Sequence, residues 1–386
     1  MAGRLLAVSD LHVGYPENRA YADALSPGVP GDWLMVAGDV GEVFAVTGFV
    51  LASLASRFAK VIWTPGNHEL WTLPSDPVAL RGAARYEALV KVCRRFGVVT
   101  PEDEFPVWEG RGGPATVAPL LTLYDYSFRA DGVAPGDPAE GASAAAGSDG
   151  RPAALAAARA AGITPVDEGR LHADPYPSVA AWCRDRVAAA ERRLAAADGP
   201  VVLVSHWPLV RAPVARLRHQ AFAPWCGTTL TADWHTRHKV LAAVYGHLHI
   251  PRTTHHDGVR FEEVSVGYPR EWQRRGTAPP PPRVILESAL PRFSRSGRGT
   301  PGTSQAATLW TGVPRSGRPG WPDRSALTGA VPVTHSLPGE EPERALLAVT
   351  GAGGWRGCLR VRVATAARGG AGRTWRPRPA GRPRRA

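Results

Sequence analysis

The feature that most constrains the fold of this chain is a series of short apolar runs, each followed closely by Asp, Asn or His. These runs occupy residues 4–8, 33–37, 60–64, 200–205 and 242–245. Their length is typical of buried strands, and longer stretches between them have the pattern of helices. Strands that alternate with helices predict an α/β fold. Because polar residues beyond the strand ends of such folds line a common crevice, we expect the residues after these runs to lie close together.

The remaining secondary structure follows from the same patterns. Helices are predicted at about 42–57, 79–96 and 178–197, and further strands at 115–118, 120–124, 250–256 and 259–266. Residues 130–175 are rich in Ala, Gly, Pro and Asp, which predicts a surface insertion with a helix near 152–161. Together these elements predict one domain over residues 1–276.

The composition changes after residue 276. Residues 277–386 contain no Lys, 18 Arg and 5 acidic residues, which gives a net charge of +13 against −1 for residues 1–276. This segment is also rich in Gly and Pro, so most of it cannot bury enough apolar surface to offset the entropy of ordering. We therefore predict a largely disordered C-terminal tail in which only 283–290 is a candidate for ordered structure. A shifted reading frame at the end of a GC-rich gene is an alternative explanation of this bias.

The distribution of charge bears on the partners of the chain. The near-neutral first 276 residues lack the basic surface of a nucleic-acid-binding domain, so no specific nucleic-acid partner is expected. The arginines of the tail could bind nucleic acid or anionic lipid nonspecifically. The sequence has no apolar stretch of about 18 residues, which predicts no membrane span. The N-terminal run lacks the features of a signal peptide, so a cytoplasmic location is expected.

The residues after the predicted strands are types that bind divalent metals. They comprise two carboxylates, one carboxamide and four imidazoles: Asp10, His12, Asp39, Asn67, His206, His247 and His249. Oxygen and nitrogen ligands without a thiolate suit Mn²⁺, Fe or Zn²⁺. If one carboxylate is shared, the set supplies about four ligands to each of two ions and leaves positions for water and substrate. Two such ions would clamp a phosphoryl group and activate water.

His68 adds an acid–base group to this set. It follows Asn67 directly, which places it to protonate a leaving oxygen or to stabilise it as an imidazolium. Glu69 is expected to orient a neighbour rather than to bind metal. An Asp-x-His or Gly-Asp pair after a strand carries little information alone, whereas Gly-Asn-His-Glu and Gly-His-x-His are more specific. Their joint occurrence at strand ends favours a functional site.

These motifs resemble those of the calcineurin-like metallophosphoesterases. The matching segments are Asp10-Leu11-His12, Gly38-Asp39, Gly66-Asn67-His68-Glu69, Ser205-His206 and Gly246-His247-Leu248-His249. The resemblance implies a four-layer α/β/β/α sandwich of two mixed sheets flanked by helices. It also implies the role of each residue: Asp10, His12 and His249 would bind one ion, Asn67, His206 and His247 the other, Asp39 both, and His68 would be the catalytic histidine.

A closer resemblance, over about residues 4–275, is to actinobacterial 4′-phosphopantetheinyl hydrolases. It is carried by residues 58–72, 107–128, 225–238 and 244–272. The resemblance implies removal of 4′-phosphopantetheine from an acyl or peptidyl carrier protein. Other enzymes of the same chemistry are an alternative: a cyclic-nucleotide or other small-molecule phosphodiesterase, a phosphatase or a nuclease. A non-catalytic binding scaffold is disfavoured because every ligand position is filled.

Substrate contacts are predicted only weakly. The aromatic residues Tyr124, Tyr126, Trp207 and Trp225 could flank a pantetheine arm, but the interpretation as core residues is favoured. Arg211, with Arg216 and Arg218, follows His206 and could dock an acidic carrier protein. The competing interpretation of these arginines is a solvated face.

Overall fold

The computed structural model of the chain describes residues 3–111, 113–129 and 150–287, and the backbone of three later strands. The chain divides into two compact units, Met1–Arg295 and Ser296–Ala386. The second unit contains an antiparallel sheet of Val331–His335, Glu343–Val349 and Val361–Thr365, with the middle segment in the centre.

The first unit contains ten strands and nine α-helices among its described residues. The strands are β1 (Leu5–Val8), β2 (Trp33–Val36), β3 (Lys60–Trp63), β4 (Val107–Gly110), β5 (Gly113–Leu120), β6 (Val201–Ser205), β7 (Val240–Tyr245), β8 (Arg252–His256), β9 (Val259–Glu263) and β10 (Arg283–Leu286). The helices are α1 (Pro16–Ala24), α2 (Phe44–Ala55), α3 (Asn67–Leu70), α4 (Gly82–Arg95), α5 (Arg151–Ala160), α6 (Asp167–Arg170), α7 (Val179–Ala195), α8 (Trp234–Arg237) and α9 (Pro269–Arg274). Three 3₁₀ helices follow β6, at Ala212–Arg216, Gln220–Trp225 and Thr229–Thr231.

Two mixed sheets form the centre of this unit. The first has the order β10-β1-β2-β3, with β1, β2 and β3 parallel and β10 antiparallel to β1. The second has the order β4-β5-β6-β7-β9-β8, in which β5, β6, β7 and β9 are parallel and the two edge strands antiparallel. The parallel strands of each sheet therefore end on one side, as the sequence predicted.

Alternate residues of β1 pack into two different hydrophobic cores, because successive side chains of a strand point to opposite faces of the sheet. Leu5 and Ala7 pack in a cluster with Val202 of β6, so this face of the first sheet lies against the second sheet. Leu6 and Val8 belong to the larger cluster, which also takes in residues of the helices. The arrangement is a sandwich of two mixed sheets with helices outside, and it confirms the predicted four-layer fold.

The predicted strand at 120–124 is wrong. β5 ends at Leu120, and the following residues run as an irregular segment in which Leu123 has a φ of 58°. Leu121 and Tyr124 are nevertheless almost fully buried. The apolar run at 120–124 therefore indicated correctly that these residues are buried. It did not predict a strand correctly, because a positive φ is incompatible with a continuing strand.

The predicted insertion at 130–175 lies only partly at the surface. Residues 130–149 fall outside the described part of the chain. The helix expected near 152–161 is present as α5, and α6 follows it. Asp167, at the start of α6, is buried, so this part of the segment belongs to the interior of the first unit.

Most of the predicted disordered tail lies outside the described residues. Within it, β10 belongs to the first sheet, so that unit extends beyond the boundary expected at residue 276. Among the described residues, no helix combines the length and apolar character that crossing a membrane would require.

Candidate metal centre

The residues that follow β1, β2, β3, β6 and β7 meet at one edge of the sandwich. Seven of them bring oxygen or nitrogen atoms close together: Asp10, His12, Asp39, Asn67, His206, His247 and His249. These are the seven residues that the sequence analysis selected as metal ligands. The structure therefore places the whole set at one position although it spans most of the first unit.

Five of the seven residues adopt a left-handed backbone conformation. Their φ angles are 54° at Asp10, 41° at His12, 55° at Asp39, 70° at His247 and 55° at His249. A non-glycine residue in a sparsely populated region costs about 1–3 kcal/mol, and such residues concentrate at functional sites. The turns that reverse the chain after β1, β2 and β7 thus direct these side chains into the site at the expense of stability.

Asp10, His12 and His249 form the first group of donors. Nε2 of His249 lies 3.0 Å from Oδ1 of Asp10 and 3.1 Å from Nε2 of His12. Burial opposes protonation of His249, but the carboxylates of Asp10 and Glu271 raise the pKa of His249 to about 10. A cation bound at this position would therefore take the place of a proton.

Asn67, His206 and His247 form the second group. Nε2 of His206 lies 3.1 Å from Oδ1 of Asn67 and 3.1 Å from Nδ1 of His247. The other ring nitrogen of His206, Nδ1, lies 2.9 Å from the carbonyl oxygen of Ala37. Because that contact fixes Nδ1 as the protonated nitrogen, Nε2 of His206 is left with its lone pair facing the group.

Asp39 lies between the two groups. Its Oδ2 is 3.9 Å from Nε2 of His12 and 3.5 Å from Nε2 of His206. Burial, together with the carboxylates of Asp10 and Glu69, raises the pKa of Asp39 well above its usual range. Positive charge between the groups would offset both effects.

These side chains fit a metal better than they fit a hydrogen-bond network. Burial lowers the pKa values of His12 and His247 well below the usual range and that of His206 to about 4. Nε2 of His206 carries a lone pair and faces the carbonyl oxygen of Asn67 at 3.1 Å, so two lone pairs meet there with no proton between them. Mixed oxygen and neutral nitrogen donors of this kind are the usual ligands of divalent transition metals.

His68 lies beside the donors and is held from two sides. Its Nδ1 is 2.9 Å from Oε1 of Glu42, and its ring stacks on Trp71 with 3.7 Å between ring centroids. Nε2 is the nitrogen left to face the site, at 3.7 Å from Oδ2 of Asp39. Burial opposes the charge on Glu42, but the hydrogen bond from His68 lowers the pKa of Glu42 below its usual value. The sequence analysis identified His68 and missed Glu42.

Glu69 orders the backbone around the site, as the sequence analysis expected. Its carboxylate accepts hydrogen bonds from the backbone N–H groups of Asp39, Val40 and Gly66, at 2.8–2.9 Å. These bonds tie the loop after β2 to the loop after β3. Gly66 allows this close approach, because a Cβ atom at that position would collide with the carboxylate of Asp39.

Further residues form hydrogen bonds with the donors or stack on them, and the sequence analysis did not select these residues. Nδ1 of His249 lies 2.9 Å from the carboxylate of Glu271, and Ser265 donates to Asp10 at 2.7 Å. The ring of Tyr268 stacks on His12 with 4.5 Å between centroids. Partners that fix the orientation of metal ligands commonly matter almost as much as the ligands. All three partners lie in the segment 263–272, whose sequence carries no metal-binding motif.

Comparison with known proteins agrees with this geometry. The family model described as calcineurin-like phosphoesterase matches residues 3–132. The chain is 53% identical over 273 residues to the [acyl-carrier-protein] phosphodiesterase PptH of Mycobacterium tuberculosis, a match that covers 70% of this chain and 80% of that protein. The crystal structure of phosphopantetheinyl hydrolase (PptH) from the same organism superposes with a TM-score of 0.66 at 49% identity, over 78% of this chain and 99% of that chain.

The chain belongs to the calcineurin-like phosphoesterase family. It is therefore a metallophosphoesterase, a hydrolase of phosphoric esters that binds divalent metal, and the buried donor groups are where the family's chemistry is expected.

The aromatic residues considered as substrate contacts lie inside this metallophosphoesterase. Tyr124, Tyr126, Trp207 and Trp225 are almost fully buried. Tyr126 packs edge-on against both Tyr124 and Trp225. All four rings belong to the larger hydrophobic cluster, and Tyr124 and Tyr126 also line a second cleft, of about 350 Å³. Arg211 is half-buried at the start of the first 3₁₀ helix after β6.

An apolar groove, here called the Leu248 groove, opens beside the metallophosphoesterase site. It has a volume of about 490 Å³, and its apolar lining comes from Ile163, Leu217, Phe222, Leu248 and Ile250. Leu248 lies between two of the donor histidines, and the ring of Phe222 stacks on His247 with 6.2 Å between centroids. Arg216, Arg218 and His219 add polar groups to the lining. A mostly apolar cleft of this size, with few polar groups, is typical of a ligand site.

Proposed function

We propose that this metallophosphoesterase hydrolyses the phosphodiester bond between 4′-phosphopantetheine and a serine of an acyl or peptidyl carrier protein. The observation that carries the proposal is its 53% identity over 273 residues to a protein described as an acyl-carrier-protein phosphodiesterase. Water would supply the oxygen that bonds to phosphorus, and the bond between phosphorus and the serine oxygen would break. The products are 4′-phosphopantetheine and a carrier protein with a free serine.

The proposal includes two divalent ions. Asp10, His12 and His249 would hold one, Asn67, His206 and His247 the other, and Asp39 both, as the distances between these donors allow. The absence of thiolate among these donors favours Mn²⁺, Fe or Zn²⁺. When bound, such ions supply positive charge to the phosphoryl group and activate water.

His68 is the proposed acid for the leaving serine oxygen. Its Nε2 faces the site, and its Nδ1 is held at 2.9 Å by Glu42. Because Nδ1 is engaged by Glu42, Nε2 is the atom from which a proton would pass to the serine oxygen. Proton transfer of this kind contributes roughly 10²–10⁴-fold to a rate.

The Leu248 groove is the proposed site of the pantetheine arm. This arm is an elongated uncharged chain, and the groove is lined mainly by apolar side chains from the immediate neighbourhood of His247 and His249. The basic side chains of Arg216 and Arg218 at the groove would face the carrier protein, since carrier proteins are usually acidic. The near-neutral charge of residues 1–276 gives no support to a specific nucleic-acid substrate.

The test is the intact mass of a holo-acyl carrier protein incubated with the purified enzyme. With Mn²⁺, we expect the carrier to lose the mass of the phosphopantetheine group, and EDTA or the His68→Ala substitution to prevent the loss. If the carrier protein kept its phosphopantetheine group while the enzyme hydrolysed a cyclic nucleotide rapidly, the proposal would be contradicted and the small-molecule alternative favoured. Elemental analysis of the purified protein identifies the metals, and cell fractionation tests the cytoplasmic location proposed with this function.

A further inference from the structure

Asp167 lies in the segment that the sequence assigns to a surface insertion, yet its side chain reaches the site. It begins α6 and is 6% exposed. The neighbouring backbone is anchored independently, because Thr72 N–H donates to the carbonyl oxygen of Arg170 at 2.9 Å and Trp71 pairs with Leu171. The end of α6 is thus fixed against the chain that follows α3.

One oxygen of Asp167 accepts two hydrogen bonds. Nδ2 of Asn67 donates to Oδ1 at 3.0 Å, and Nε1 of Trp71 donates to the same atom at 2.7 Å. Both donors are neutral N–H groups, and both bonds end on the same oxygen atom. A single carboxylate therefore holds two side chains that belong to different parts of the site.

The bond to Asn67 decides which end of its carboxamide faces the other donors. The amide nitrogen is bound by Asp167, and the carbonyl oxygen consequently points to His206, at 3.1 Å from Nε2. A reversed amide would place two hydrogen atoms against the donor group and its oxygen against the carboxylate of Asp167. Only the observed orientation offers a lone pair to a cation.

The bond to Trp71 acts on the proposed acid. Trp71 stacks on the imidazole of His68 with 3.7 Å between ring centroids and 29° between the planes. The indole N–H fixes the rotation of this ring, since Asp167 accepts it at 2.7 Å. His68 is thus held by Glu42 at Nδ1 and by the indole face at its side.

We propose that Asp167 is a positioning residue for hydrolysis, which orients Asn67 toward a metal ion and His68 toward the leaving group. Its oxygens bind neither group that reacts, and its effect passes through the two side chains that donate to it. The inference concerns phosphoester hydrolysis as such, so it does not depend on which ester is the natural substrate.

The test compares two substitutions of Asp167 with one of its neighbour. Asp167→Asn keeps a carbonyl oxygen that can accept both bonds, whereas Asp167→Leu keeps the volume and removes the acceptor. Glu168→Gln is the matched control, because Glu168 lies in the same helix and binds Tyr126 and Trp225 instead. Metal affinity is measured by competition with a chelator, and kcat and KM with a small aryl phosphodiester.

We expect Asp167→Leu to lose roughly 10–100-fold in metal affinity, as is usual when a partner of a metal ligand is removed. Asp167→Asn should recover most of this loss, and Glu168→Gln should bind metal and turn over substrate like the unmodified enzyme. Unchanged metal affinity in Asp167→Leu would overturn the role toward Asn67. If Asp167→Leu and Glu168→Gln both lost metal affinity in proportion to their loss of thermal stability, the effect of Asp167 would be one of packing alone.

A fourth substitution separates the two functions and serves if Asp167→Leu does not fold. Trp71→Phe keeps a ring beside His68 and removes the N–H that Asp167 accepts, while the bond between Asp167 and Asn67 remains. It should lower kcat several-fold at unchanged metal affinity. An unchanged kcat in Trp71→Phe would overturn the role toward His68.

Discussion

The carboxylate of Glu42 lies 2.9 Å from Nδ1 of His68, and this contact leaves Nε2 as the nitrogen that faces Asp39. Glu42 lies in the loop before α2, and His68 is the second residue of α3. A carboxylate in this position fixes both the orientation of the ring and the nitrogen that can exchange a proton with substrate.

The first prediction concerns this pair. His68→Ala should lower kcat roughly 10²–10⁴-fold for the serine ester of a carrier protein, because the poor leaving oxygen then departs without a proton. The loss should be much smaller for a nitrophenyl ester, whose leaving group is stable as an anion. Glu42→Gln should show the same dependence on the leaving group with a smaller loss. Equal losses for both esters, measured by stopped assays, would argue against an acid role.

The second prediction concerns Gly246, the residue after β7. A Cβ atom here would collide with Ser9 and with the carboxylate of Asp10. Gly246→Ala should therefore displace Asp10 and weaken metal binding, with a roughly 10–100-fold loss of affinity in a chelator titration. Gly169→Ala is the control, because a Cβ atom at position 169 would meet open space. If both variants bound metal equally well, the close packing inferred around Asp10 would be wrong.

The third prediction concerns the Leu248 groove. Leu217 lines the groove and is absent from the set of donor residues. Leu217→Trp should fill part of its volume of about 490 Å³ and raise KM for a holo-carrier protein. Turnover of methyl nitrophenyl phosphate, which has no long arm, should stay near that of the unmodified enzyme. A parallel loss for both substrates would indicate general damage, and no change for either would exclude the groove as the arm site.

The fourth prediction separates the two compact units. Truncation after Arg295 keeps every proposed site residue and β10, so kcat/KM for a small diester should not change. Truncation after Gly276 removes β10 and with it Ile285, which is buried between the sheets. Loss of one such side chain costs roughly 2–5 kcal/mol, so the shorter variant should unfold at a clearly lower temperature. Thermal unfolding followed by tryptophan fluorescence, with activity at each temperature, distinguishes the two variants.

The donor set was predictable because each member lies directly after a strand that the local sequence also predicts. Asp10 and His12 follow one apolar run, and His247 and His249 follow another. The partners of these residues were not predictable in the same way. Glu271 and Asp167 are acidic residues with no distinctive neighbours, and each reaches the site only because the chain returns to it. Glu42 lies three residues after Asp39, but nothing in the local sequence indicates its contact with His68.

The aromatic residues show a similar limit of local sequence. Tyr124 and Trp207 are buried in the core, whereas Tyr268 stacks on His12. No sequence motif indicated a role for Tyr268. Aromatic type predicts neither outcome, since these rings stabilise cores and line sites by the same dispersion forces.

The sequence by itself determined most of the strands, the residues at their ends and the oxygen and nitrogen donors that those residues offer, because period, composition and side-chain type are local properties. Only the tertiary structure decided that Asp167 belongs to the site, that Glu42 pairs with His68, and that β5 ends at Leu120. These outcomes depend on which distant segments share a position in space, and burial there sets both the hydrogen-bond partners and the pKa values.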